Sequence, residues 1–282
     1  MKPRSIVFDL FGDHLRYCGG SVRTQVLVDL LDVFDIGEPT ARIALNRMRK
    51  DGWLDTRREG RHVVWALTAK GWRLLDEGRG RIFDRTRTPW DGLWRMVIYA
   101  VPESDRAVRE RLRRTLAWWG FGPLAASTWI SPHDRLDAVE QALAEVGAVR
   151  ADLFTCRSRG PSADADMVAR CWNLEDLRAE YDGFVQRLDE LPHDSDLARL
   201  SGREALRRQI ELVAHYRRFP FQDPDLPAEL LPPDWPGVLA HDRFVATHEA
   251  LDPAARNLVL HLLSGGGRQL AEDPPEPGSI AG

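Results

Sequence analysis

The chain has 282 residues, of which 43% are hydrophobic and 29% charged, with a net charge of −4 at pH 7. That length suits two or three domains, and no apolar run approaches the roughly 20 residues that cross a bilayer, so no membrane partner is expected. The start of the chain meets an acid at Asp9, too early for a signal peptide, and a cytoplasmic location is expected.

The charge is unevenly placed. Residues 1–88 carry 17 Lys and Arg against 12 Asp and Glu, and the remainder carries 22 against 31. A basic head on an acidic body is the asymmetry of a protein in which one domain meets phosphate. Cys18, Cys156 and Cys171 show no C-x-x-C spacing, which argues against a disulfide framework or a zinc site.

A first helix is expected over 5–17 and ends at Gly19-Gly20. A second runs over 22–33, with Val22, Val26, Leu27, Leu30 and Leu31 as its inner stripe. After the turn Asp35-Ile36-Gly37 comes the most informative segment, 38–50. Gly37 can serve as N-cap and Pro39 falls in the first turn, where a missing N–H costs nothing. Ala41, Ala44, Leu45 and Met48 recur at helical spacing, while Arg42, Asn46, Arg47, Arg49 and Lys50 take the other side. A helix with an apolar back and a cationic, Asn-bearing front suits a major groove, where Arg reads guanine and Asn reads adenine. Strands at 53–58 and 62–67, joined at Glu59-Gly60, form a hairpin that carries Arg57, Arg58, Arg61 and His62 towards a phosphate backbone. Thr68 caps a further helix to about Phe83. Residues 1–88 therefore read as a winged helix-turn-helix, and the expected DNA contacts are Thr40, Arg42, Asn46, Arg47, Arg49, Lys50, Arg57, Arg58, Arg61 and His62.

Thr88-Pro89 marks a linker. Residues 93–101 form a nearly continuous apolar strand, expected at the centre of a sheet. A helix capped by Ser104, a strand at 127–131, a helix at 136–146 and a strand at 148–156 follow. A short strand near Leu124 is not separable from its neighbour. This order suggests a ferredoxin-like middle domain over 89–160. From 161 to 263 the pattern is helical, with helices over 167–191, 197–219 and 238–263, and an ordered, proline-fixed loop between the last two. Residues 264–282 are expected to be a disordered tail. The fold class is thus multidomain α+β.

Several features admit two readings. Arg106, Arg109, Arg111, Arg113 and Arg114 fit a solvated helix face better than a phosphate-docking surface. Most tryptophans are simplest as core or interface residues. Tyr216-Arg217-Arg218, with Trp172, could offer cations and aromatics to a small-molecule effector. His241 and His248 lie seven apart on one helix face, which surface or packing roles explain. No H-E-x-x-H, G-x-S-x-G or Walker motif is present. No catalytic constellation, metal site or cofactor is expected.

Three blocks carry a resemblance. They are Leu10-Phe-Gly-Asp-His with Gly19-Gly20, Arg42-Ile-Ala-Leu-Asn-Arg-Met with Asp51-Gly-Trp-Leu, and Pro220 through Gly237. Val101-Pro-Glu and Trp119-Gly-Phe-Gly-Pro-Leu add to them. Together they resemble the PaaX family of bacterial transcriptional repressors over roughly residues 4–262. The resemblance implies a winged helix, a ferredoxin-like middle domain and a helical C-terminal domain. It also implies a homodimer on operator DNA, controlling a catabolic operon and released by an acyl-CoA, in the best-known members phenylacetyl-CoA. The middle domain is similar in fold to small CRISPR adaptation nucleases, whose first strand ends in a metal-binding aspartate. Here that place reads Tyr99-Ala100-Val101, so a hard cation lacks its anchor. The rival readings are a metal-dependent nuclease and an RNA-binding module, both using the ferredoxin-like domain.

Overall fold

The computed structural model describes residues 1–83, 89–102, 104–146, 150–192, 194–197 and 199–265. Thr88 and Ala148, where a linker and a strand were expected to begin, lie outside them, as does the tail from 266. The chain is mixed α and β and divides into two compact units. One comprises Met1–Phe83, Glu190–His215 and Phe244–Gly282; the other comprises Asp84–Asp189 and Tyr216–Arg243.

The first unit opens with α1 (Pro3–Asp13) and a 3-10 turn (Leu15–Cys18). Strand β1 (Ser21–Arg23) follows, then α2 (Thr24–Asp32), α3 (Glu38–Lys50), β2 (Leu54–Glu59), β3 (His62–Leu67) and α4 (Ala69–Phe83). The expected second helix over 22–33 thus begins later. Its first residues pair instead with β3, Val22 opposite Trp65 and Arg23 opposite Val64, after the positive φ of Gly19 and Gly20 has turned the chain. The sheet order is β1-β3-β2, all antiparallel. Ala41, Leu45 and Met48 are buried, and Ala44 is half-buried. Helix α3 stops in a Schellman turn. Gly52, at φ +74°, donates its N–H to Arg49 O at 3.0 Å, and Trp53 N–H reaches Met48 O at 2.9 Å. Thr68 caps α4, its Oγ1 accepting from Gly71 N–H at 3.3 Å.

The second unit holds β4 (Trp94–Ala100), α5 (Arg106–Trp118), β5 (Gly122–Ala125), β6 (Thr128–Ser131), α6 (Leu136–Val146) and β7 (Arg150–Cys156). Its sheet order is β5-β6-β4-β7, antiparallel throughout, so β4 is central as its apolar run suggested. Burial along β4 is not uniform, however. Val97 and Tyr99 face a core with Leu112, Leu116, Val139 and Leu143 of α5 and α6. Ile98 is exposed on the opposite face. Ser104 does not cap α5, whose N-cap position is Asp105.

Downstream, the helix expected over 167–191 is two. Helix α7 (Pro161–Cys171) stops at Trp172, which is extended, and Asn173 caps α8 (Leu174–Asp189) by accepting from Asp176 N–H at 3.2 Å. Helices α9 (Asp194–Leu197), α10 (Gly202–Tyr216), α11 (Phe219–Gln222) and α12 (Gly237–Leu263) follow among the described residues, so the single helix expected over 197–219 is also broken. Helix α10 begins against α12. A Cβ on Gly202 would lie 2.8 Å from Leu258 Cβ, so only glycine permits that approach. The proline-rich loop before α12 is ordered by specific bonds. Tyr181 Oη donates to Asp223 Oδ2 at 2.7 Å, and His133 Nε2 bonds Pro224 O at 3.1 Å. Burial, the largest cause, lowers the His133 pKa, and a carbonyl acceptor requires Nε2 to carry a proton. All three cysteines are free, and burial pushes the Cys171 thiol up to about 11. It is therefore protonated and unreactive at neutral pH.

Candidate nucleic-acid interface

Helix α3 turns its apolar stripe into the first unit and leaves the other side to solvent. Thr40, Arg42, Asn46, Arg47, Arg49 and Lys50 are all exposed. Arg42 is held by Glu38 one turn earlier, Nη2 to Oε1 at 2.7 Å, and Asn46 Nδ2 donates to Arg42 O at 3.0 Å. Both contacts are local and solvent-exposed. An exposed i,i+4 ion pair such as Arg42–Glu38 contributes only about 0.3–0.5 kcal/mol, so a base edge or phosphate can displace it at little cost. The side chains of Arg47, Arg49 and Lys50 make no ion pair or hydrogen bond among the described residues. They crowd the last turn, where cations favour the negative end of the helix dipole.

The hairpin turns at Gly60-Arg61, with Glu59 opposite His62 and Gly60 at φ +59°, one residue later than the expected Glu59-Gly60. Arg57, Arg58, Arg61 and His62 are exposed. Arg57 is occupied, with Glu59 Oε1 at 2.6 Å and Ser21 Oγ at 3.3 Å. The side chains of Arg58, Arg61 and His62 have no hydrogen-bond or ion-pair partner among the described residues. The structure also brings in Arg23. It is exposed on β1 and, like Arg57, is in register with Val64 of the intervening strand, so the two arginines share a sheet face. Reading 22–33 as one helix hid it. A second residue escaped the sequence reading: Ile43 is 70% exposed in the middle of α3.

The effector candidates are not gathered in one place. Trp172 lines a cavity of about 790 Å³ in the second unit, together with Trp90, Leu174, Leu230, Leu231 and Pro232. Its indole lies so close to β5 that a Cβ on Gly122 would come within 2.6 Å of Trp172 Cε2. Beneath it, Trp94 Nε1 donates to the buried Asp164 Oδ1 at 2.7 Å. The charged lining is mostly acidic, with Asp164, Glu175 and Glu229 against Arg170. Tyr216 is elsewhere, buried among Phe184, Phe219 and His241. Arg217 is half-buried, and Arg218 is exposed, 3.9 Å from Glu180. None of these three lines the cavity. No described group of three or more His, Cys, Asp or Glu is placed to hold a metal ion. No helix among the described residues is long and apolar enough to cross a membrane.

Three family models match the chain in order. They are the PaaX-like protein model over residues 2–71, the PaaX protein central Cas2-like domain over 87–168, and the PaaX-like protein C-terminal domain over 172–261. The chain belongs to the PaaX family. It is similar to the transcriptional repressor PaaX of Escherichia coli (strain K12), with 33% identity over 284 residues that cover 98% of this chain and 87% of that one. Among solved structures, the uncharacterized protein Rv0674 from Mycobacterium tuberculosis is similar, with a TM-score of 0.57 and 25% identity over 83% of this chain and 90% of that chain.

Proposed function

We propose that the protein is a DNA-binding transcriptional repressor in which α3 enters the major groove and the β2–β3 hairpin lies along the backbone. The observation that carries this reading is the exposed cationic side of α3, where the side chains of Arg47, Arg49 and Lys50 have no ion-pair or hydrogen-bond partner among the described residues while the opposite stripe is buried. The succession α1, α2, α3, β2, β3 with β1 added to the sheet suits a winged helix-turn-helix. The strand order β5-β6-β4-β7 with α5 and α6 as crossovers suits a ferredoxin-like domain. The named E. coli relative is itself a transcriptional repressor. Domain limits at 88/89, 160/161 and 263/264 are part of the proposal.

One recognition helix reads only a few base pairs, so we infer a homodimer on two half-sites about 34–36 Å apart. Release by a small-molecule effector, an aryl- or acyl-CoA thioester such as phenylacetyl-CoA, and control of a catabolic operon complete the proposal. The walls Trp90, Trp172, Leu230 and Leu231 suit an aryl acyl group. The carboxylates beside them repel phosphates, so the coenzyme end would extend out of the cavity. A ligand that favours one state over another by 1–3 kcal/mol changes DNA affinity roughly 5–150-fold.

Gel mobility shifts with DNA from upstream of its own gene test the reading. Retardation by the wild-type chain, lost on adding phenylacetyl-CoA, is the expected result. Equal retardation of promoter and random DNA would remove the repressor assignment, and titration calorimetry with an aryl-CoA panel tests the thioester separately.

A further inference from the structure

On a helix of 3.6 residues per turn, Ile43 lies roughly 180° from the stripe formed by Ala41, Leu45 and Met48. It is 70% exposed, and its helical neighbours Pro39, Thr40, Asn46, Arg47 and Lys50 are exposed around it. A large apolar residue therefore stands among the outward-facing residues of the cationic side. Ile43 contributes nothing to the buried core of its unit.

We propose that Ile43 is a specificity-determining residue that packs against the 5-methyl group of a thymine in the major groove. The inference rests on α3 being the recognition helix. A helix entering a groove puts the residue opposite its buried stripe closest to the base edges, with longer flanking side chains free to reach phosphates and polar base atoms. Among the four bases only thymine presents an apolar group on its major-groove edge. Isoleucine is suited to meet it, because a β-branched side chain in a helix keeps essentially one χ1 rotamer and has little freedom left to lose on docking. Arg42, Asn46 and Arg47 around it would read or clamp polar partners. Ile43 would discriminate thymine from cytosine, which offers an N4 amino group that an aliphatic side chain leaves unpaired.

The test starts by letting the wild-type chain select its site from a random double-stranded library. Each thymine of that site is then replaced singly by deoxyuridine, which removes only the methyl group, and affinities are measured for wild type and Ile43→Ala. At least one thymine per half-site should lose about fourfold in wild-type affinity, the equivalent of ~0.8 kcal/mol for one buried methyl-sized group, and lose nothing with Ile43→Ala. The variant should melt with wild type, since the side chain it shortens is exposed. Deoxyuridine effects that are the same for both proteins at every position would overturn the assignment, as would an Ile43→Ala protein that binds the intact site as tightly as wild type. Selection of no site at all would instead remove the recognition-helix reading, and this inference with it.

Discussion

The turn that delivers α3 is held from a distant part of the chain, and cutting that hold should weaken DNA recognition without touching DNA. Arg207 of α10 donates Nε to Val33 O at 3.0 Å and Nη2 to Val33 O and to Asp35 Oδ2 at 2.5 and 2.8 Å. One turn earlier, Arg203 Nη2 reaches Asp32 O at 2.7 Å and Asp32 Oδ2 at 2.8 Å. These acceptors are the end of α2 and the turn before Gly37, where helix carbonyls have no partner within the helix. Asp35 also sits at φ +59°, a conformation that costs an L-residue about 1–2 kcal/mol and needs support. A hydrogen bond to a charged group contributes ~1.5–3 kcal/mol. The Asp35 carboxylate, 76% exposed, adds only about 0–1. Because Arg207 is itself 34% exposed and water can replace part of it, Arg207→Ala should loosen the turn by about 1–2 kcal/mol, roughly 5–30-fold in its equilibrium. Hydrogen exchange should show faster exchange at the amides of residues 33–37, and operator affinity should fall by a similar factor. The slope of log affinity against log salt should not change, because Arg207 neutralises no phosphate. Wild-type exchange and affinity would refute the clamp. A slope reduced by about 0.9 would show instead that Arg207 lies on the DNA.

Other expectations follow from named residues. Arg42→Ala or Asn46→Ala should cost about 1–3 kcal/mol and relax base preference in a binding-site selection. Arg58→Ala should weaken all sequences alike and lower the salt slope by about 0.9, which a titration on operator and random DNA would reveal. His14 is buried and its pKa is lowered, first by desolvation, with Asp13 and Asp252 acting the other way. The unfolded chain therefore takes up its proton first, and stability should fall as pH drops below about 6.5 towards the folded value. Urea denaturation between pH 7.5 and 5.5 should show this loss, and His14→Gln should reduce it. Trp172→Ala should weaken effector binding in calorimetry while leaving operator affinity unchanged.

Periodicity made much of this architecture legible. The stripe Ala41-Leu45-Met48, the cap at Gly37 and the stop at Gly52 are local features, and each fixes its end of α3 through its own backbone. The apolar run of β4 announced a central strand in the same way. Strand β1 was hidden because Ser21–Arg23 is paired by β3, more than 40 residues away, and three residues are too few to show alternation. The break at Trp172-Asn173 was missed because apolar spacing continues across it; only the Asn173 cap marks it. The candidate interface was legible as a set of cations, but which of them are occupied was not. Glu38 and Glu59 hold Arg42 and Arg57 through geometry, and the isolation of Ile43 depends on which side of α3 is buried. The separation of Tyr216 from Trp172 is a tertiary fact with no local signature.

Methylation interference on the selected DNA site tests the placement of α3 most directly. A methyl group at guanine N7 projects into the major groove and blocks an arginine there. The account predicts loss of binding on methylation of guanines in two clusters one helical turn apart, with the effect at one guanine per cluster abolished in Arg42→Ala or Arg47→Ala. Binding that tolerates methylation at every guanine N7 would contradict it.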